Sequence, residues 1–163
     1  MKHAGLRARS LGEVAVVQQE ALIRPMRRGD FEGVVALDGL ITGQDRSGYY
    51  QRKFRSLEDP DAVNTCLTAE LDGKVVGFVM GDMYTGEYGV PETMAVVDTI
   101  GVHPDHQDRG IATALFEQFR SNLRALNVRT AYVLVEWGDW QLAKFFQKEG
   151  FRPSSRMNLE LRL

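Results

Sequence analysis

The segment Val97-Asp98-Thr99-Ile100-Gly101-Val102-His103-Pro104-Asp105-His106-Gln107-Asp108-Arg109-Gly110-Ile111-Ala112-Thr113-Ala114-Leu115 constrains the fold more than any other part of the chain. It reads as a buried strand, a short polar loop and the start of an amphipathic helix. The junction from Gln107 to Ala112 suits an anion. Gly110 and Ala112 carry little or no side chain, so a ligand can approach the backbone closely. The first N–H groups of a helix lack partners inside it, and the dipole there favours negative charge. A run of such groups can cradle a pyrophosphate. No Gly-Lys-Ser/Thr follows, which excludes a P-loop, and the G-x-G-x-x-G spacing of a dinucleotide fold is absent.

The rest of the chain supplies one domain around this segment. A length of 163 residues suits a single core, and 44% hydrophobic residues can fill it. A formal charge of −2 argues against a general nucleic-acid binder. The single cysteine, Cys66, permits no intrachain disulfide and fits a reducing compartment such as the cytoplasm. No apolar run is long enough to span a bilayer, so no membrane partner is expected. Residues 1–20 begin basic without a following apolar segment, a poor secretory signal, and are expected to form a mobile extension before a domain over 21–163.

Periodicity predicts a first strand over 21–25 and a helix capped by Asp30 that carries Phe31, Val34, Val35, Leu37 and Leu40. A second helix is expected from Arg46 or Ser47 to Leu57. Strands over 64–71 and 74–83 are joined by Asp72-Gly73, a strong hairpin signal. A loop over 84–92 precedes the motif strand, 94–102. A helix is expected from about Asp108 to Leu126, a strand over 129–136, and a helix over 140–148 stopped by Gly150. Residues 151–161 should supply the last one or two strands. This order gives a mixed α/β sheet with helices on both faces.

Gln107-x-x-Gly110-x-Ala112 resembles the acetyl-CoA-binding motif of the GNAT family of N-acetyltransferases, usually written Arg/Gln-x-x-Gly-x-Gly/Ala. The preceding Ile100-Gly101-Val102-His103-Pro104 matches the family's strand ending. A second family block is similar to Asp139-Trp140-Gln141-Leu142-Ala143-Lys144-Phe145-Phe146-Gln147-Lys148-Glu149-Gly150-Phe151. The resemblance covers about residues 22–162 and implies a mixed, mostly antiparallel sheet whose central strands splay apart. The pantetheine arm of acetyl-CoA would lie in that wedge and pair with the backbone of Ile100, Gly101 and Val102. The pyrophosphate would take N–H groups from Asp108, Arg109, Gly110, Ile111, Ala112 and Thr113, with Arg109 adding a charge-assisted contact and Gln107 opening the motif. Asp108 has a second reading, as a helix cap facing solvent. Asp139 stands where many relatives have an asparagine that contacts the pantetheine arm; the alternative is a plain cap on the helix from Trp140. Phe145 and Phe146 could wall the cofactor channel or pack in the core.

The resemblance implies attack of an amine on a thioester, which requires the neutral amine. At pH 7 a lysine-like amine of pKa ~10.4 costs about 4.6 kcal/mol to deprotonate, and an α-amine near ~8 about 1.4. A general base is therefore useful. A thiol of pKa near ~8.5 leaves readily, so a general acid matters less. Many relatives place a tyrosine acid where this chain has Phe146, and those that acetylate protein N-termini often place a glutamate base at the position of Leu134. Asp98, two residues before Ile100 and expected to share its face, and Glu136 are candidate replacements, as are the tyrosines Tyr49, Tyr50 and Tyr84. Asp98 has the rival reading of a buried ion pair. His103 and His106 read as loop residues rather than a metal pair, and no metal is expected.

From Gly81 to Asp98 the acidic residues Asp82, Glu87, Glu92 and Asp98 occur without Lys or Arg, and an acidic mouth would attract a cationic amine. Gln44-Asp45-Arg46-Ser47-Gly48-Tyr49-Tyr50-Gln51-Arg52-Lys53 is suited to line the acceptor pocket, and its aromatic pair equally suits helix packing. The resulting expectation is an acetyl-CoA-dependent N-acetyltransferase acting on a primary amine of a small molecule or peptide, with a homodimer as the expected assembly. Its alternatives are a non-catalytic acyl-CoA-binding or sensing module and a transferase for a longer acyl-CoA.

Overall fold

A computed structural model describes residues 20–59 and 63–163. The expectation for the N-terminal extension falls almost entirely outside these residues. The elements are β1 (Leu22–Pro25), α1 (Phe31–Thr42), α2 (Ser47–Ser56), β2 (Leu67–Leu71), β3 (Lys74–Thr85), β4 (Thr93–Val102), α3 (Ile111–Ala125), β5 (Ala131–Val133) and α4 (Trp140–Lys148). The strands form one sheet in the order β1-β2-β3-β4-β5. Every neighbouring pair is antiparallel except β4 and β5, which run parallel. The Asp72-Gly73 hairpin is present, with both residues at positive φ, as a tight two-residue turn demands.

Alternation along the strands sends apolar side chains to both faces. On one face Leu67, Ala69, Val79 and Val97 pack against Leu115 and Phe119 of α3 and Phe146 of α4. On the other, Cys66, Phe78 and Met80 meet Val34 and Leu37 of α1 and Tyr50 and Phe54 of α2. The stripe Ile111, Leu115, Phe119, Leu123 of α3 is buried along its length. Helix α4 ends as Gly150 predicts. Gly150 takes φ +97°, and the N–H groups of Gly150 and Phe151 donate to the carbonyls of Gln147 and Phe146.

Several boundaries differ from expectation. Helix α3 begins at Ile111, not Asp108, because Asp108 (φ +57°) and Gly110 (φ +79°) are left-handed and cannot join a right-handed helix. Asp30 precedes α1 without capping it. Its carboxylate instead accepts from the Arg27 N–H and the Arg24 guanidinium. Strand β3 extends to Thr85, shortening the expected loop. Strand β5 holds three residues rather than eight. Residues 151–163 form no strand. Pro153 lacks a ladder donor, and a three-residue β5 offers little edge to pair with, so Met157, Leu159, Leu161 and Leu163 stand exposed.

Candidate active site

The site grows from the place where β4 and β5 part. They pair only over Ala95–Val97 against Ala131–Val133. Beyond Val97, β4 continues to Val102 with β3 on one side alone. Ile100, Gly101 and Val102 therefore lie on a stretch whose other edge carries no strand among the described residues.

The chain then turns through Pro104–His106 into the loop before α3. The His103 N–H donates to the Val76 carbonyl, and the Gln107 amide donates to the Val102 carbonyl at 3.2 Å. Gln107 thus braces the loop against the end of β4. The first helical bond of α3 runs from the Ala114 N–H to the Gly110 carbonyl, so the helix itself leaves the N–H groups of Ile111, Ala112 and Thr113 unused. Gly110 is the N-cap residue, and a Cβ added there would meet nothing within 4 Å. Open space above unused donors at a positive helix end is what a pyrophosphate requires. Arg109 is exposed, 3.5 Å from the His106 ring. The Thr113 hydroxyl donates to Glu149 and leaves only its N–H for a ligand. Asp108 does not cap α3, since it precedes the N-cap.

A β-bulge in β4 decides which face Asp98 takes. The register pairs Met80 with Thr99 but Gly81 with Val97, so Asp98 is the extra residue. Ile100 packs with the α3 core, as Val97 does. Asp98 instead meets Lys53 of α2, on the opposite face. The expectation that Asp98 and Ile100 share a face fails because the bulge breaks the two-residue alternation. The Lys53 ammonium donates to Asp98 at 2.7 Å and also to Asp82 of β3. It lies 5.7 Å from the centre of the Tyr49 ring.

Burial pushes Asp98 above the usual carboxylate range, although Lys53 opposes the shift. Burial works against the Lys53 charge, but Asp82 and Asp98 outweigh it and hold the amine protonated. Burial also raises the Tyr49 phenol, against the pull of Lys53. A half-buried carboxylate, a clamped ammonium and a phenol thus meet beside the open edge of β4.

The other expected site residues are scattered. Tyr84 lies two residues beyond Asp82 on β3, opposite Met94, and so shares the Asp82 face. Tyr50 is buried, and its hydroxyl donates to Asp38 at 2.7 Å, which removes it from the acceptor pocket. Glu136 is exposed and lies beyond the end of β5, away from the Lys53–Asp98 cluster of contacts. Asp139 caps α4, its carboxylate accepting the Leu142 N–H at 3.0 Å. Phe146 is 2% exposed among Phe116, Phe145 and Phe151, within the core rather than along an open channel. His103 accepts the Asp105 N–H as a turn contact. No group of three or more metal-ligating side chains occurs among the described residues. Cys66 is buried and its thiol is pushed up to about 11, which leaves it inert.

Sequence reasoning missed the role of Lys53 and the bulge. One signal was present. Gly81 faces the bulge, and a Cβ there would lie 2.5 Å from the Val96 carbonyl oxygen.

The model of the acetyltransferase (GNAT) family matches residues 31–151. The chain belongs to the GNAT acetyltransferase family. A protein named acetyltransferase from Pectobacterium atrosepticum is 32% identical over 145 residues, spanning 86% of this chain and 94% of that protein. Another acetyltransferase, from Sodalis glossinidius, is 33% identical over 130 residues, spanning 77% and 83%. A solved aminoglycoside N-acetyltransferase in complex with CoA shares the fold, with TM-score 0.73, 17% identity and coverage of 90% and 99%. This GNAT enzyme is an acyltransferase. No helix of the described residues is long and apolar enough to cross a membrane.

Proposed function

We propose that this GNAT protein transfers the acetyl group of acetyl-CoA to a primary amine of a small molecule or peptide, by direct attack in a ternary complex. One observation carries the reading. The open backbone of β4 beyond Val97 leads, through a loop braced by Gln107, into the unused N–H groups at the start of α3. The backbone of Ile100, Gly101 and Val102 would hold the pantetheine arm. The N–H groups from Asp108 to Thr113 would hold the pyrophosphate, with Arg109 adding positive charge. When bound, acetyl-CoA supplies the electrophilic thioester carbon.

Asp98, at the bulge, would accept the proton that the acceptor ammonium must lose. The freed nitrogen forms the new C–N bond as the C–S bond breaks; the nitrogen then gives up its second proton, which replaces the one that the departing CoA takes up as the thiol, and the proton on Asp98 returns to solvent. Tyr49 or Tyr84 can donate the thiol proton in place of a hydroxyl at Phe146. The proposed reading includes no metal, no acyl-enzyme, a cytoplasmic location and a homodimer, whose size light scattering checks.

The test is release of free thiol from acetyl-CoA across a panel of amines. Turnover on at least one amine is expected. Tight acetyl-CoA binding without turnover on any amine would overturn the proposal in favour of a sensing module, a reading that the protonless Phe146 motivates. Comparing acyl chain lengths separates an acetyl from a longer acyl donor.

A further inference from the structure

The acceptor side is shaped by a lysine as much as by its acids. Lys53 bridges β3 and β4 from α2, joining residues 29 and 45 positions away in the chain. The Lys53 and Asp98 side chains are each 18% exposed, so the pair is largely withdrawn from water. Location gives the cluster its meaning. Asp98 is the first residue of β4 past Val97, the last to pair with β5, where the open edge begins. The groups that act on Asp98 are Lys53 and Tyr49 from α2, Asp82 from β3 and, more remotely, Cys66 beside β2. Burial keeps Tyr49 and Cys66 neutral, and only Lys53 among these groups is positive. Two carboxylates against one ammonium leave one negative charge.

Resting on the transferase reading above, we infer that Lys53 is a positioning residue that sets the acceptor pocket at one net negative charge, and so selects an amine carrying one positive charge over an amine carrying two. A single ammonium neutralises the pocket. A second ammonium would have to be desolvated beside Lys53 without a carboxylate of its own, and an unpaired charge in such a place is costly.

The experiment is a charge ladder read as a ratio of kcat/KM for hexylamine and hexamethylenediamine, measured by CoA thiol release. Read at alkaline pH, so that Asp98 stays ionised without its lysine, Lys53→Met takes the pocket to two negative charges and should shift the ratio toward the diamine on the order of tenfold. Lys53→Arg keeps the charge and should keep the wild-type ratio. The double variant Lys53→Met/Asp82→Asn removes the ion pair yet returns the charge to minus one, and it should restore the wild-type ratio. Structural damage alone would not be repaired by a second lesion. A shift in Lys53→Met that the double variant fails to reverse overturns the inference. The same ratio in all variants also overturns it and leaves the transferase reading intact. Absence of turnover on every amine by the wild-type protein overturns both.

Discussion

Gly81 links the fold to the chemistry, and Gly81→Ala is the substitution that tests the link. An added Cβ would lie 2.5 Å from the Val96 carbonyl oxygen and 2.8 Å from the edge of the Phe119 ring. Neither neighbour can retreat freely. The carbonyl belongs to β4, and Phe119 is fully enclosed in the core. Overpacking of this kind costs ~1–3 kcal/mol, and a disturbed ladder bond adds ~0.5–1.5 kcal/mol. A total of about 3 kcal/mol, at ~2–4 °C per kcal/mol for a chain of this size, predicts a fall in Tm of roughly 6–12 °C. Thermal melts followed by circular dichroism measure it. Gly48→Ala is the matched control, because nothing lies within 4 Å of its added Cβ and a helical alanine is favoured. The strain acts opposite the bulge, so acetyl transfer should also fall at temperatures where the variant remains folded. A Tm within about 2 °C of wild type, a shift that corresponds to less than ~1 kcal/mol, would refute the steric argument. Normal turnover in a destabilised variant would refute the tie between this contact and the placement of Asp98.

Gly110→Val should weaken acetyl-CoA binding by roughly 100-fold or more, as two charge-assisted N–H contacts of ~1.5–3 kcal/mol each are obstructed, and calorimetric titration checks it. Phe146→Tyr should lower stability by ~1–3 kcal/mol without raising the rate, because the added hydroxyl enters an apolar cluster that is 2% exposed; melts and thiol release read both effects. Asp30 gives a pH signature. Burial raises its proton affinity, but Arg24 and the Arg27 N–H outweigh that and hold it below the ordinary 3.8. Its contribution is therefore present above that value and is lost over the acid range below it, as pH falls through the lower folded value. Urea melts across that range should show this acid limb flattened in Asp30→Asn.

The comparison of sequence with structure separates local from non-local determinants. The hairpin at Asp72-Gly73, the stripe of α3 and the stop at Gly150 were legible because each depends on residues adjacent in sequence or one helical turn apart. Misreadings occurred where a residue of another element intervened. Asp30 reads as a cap, but Arg24 on β1 captures it. Residues 129–136 have strand composition, yet pairing stops at Val133, where β4 diverges. The extended pattern after Phe151 finds no edge long enough to join.

The same distinction explains why the two halves of the site differ in legibility. The cofactor half is contiguous. Strand end, brace and helix start fall within Ile100 to Thr113, and on the proposed reading the ligand would be met mainly by backbone, so left-handed turns and a small residue at the helix entry suffice to announce it. The proposed acceptor half is assembled from α2, β3 and β4, and its key event is one extra residue in β4. Alternation alone sends Asp98 to the wrong face, and no local pattern ties it to Lys53. A transfer site divided in this way can keep its cofactor half constant while single changes at Lys53, Asp82 or Asp98 reset the charge presented to the amine. On the proposed reading, acceptor specificity would be read from ion pairing across the sheet rather than from the motif.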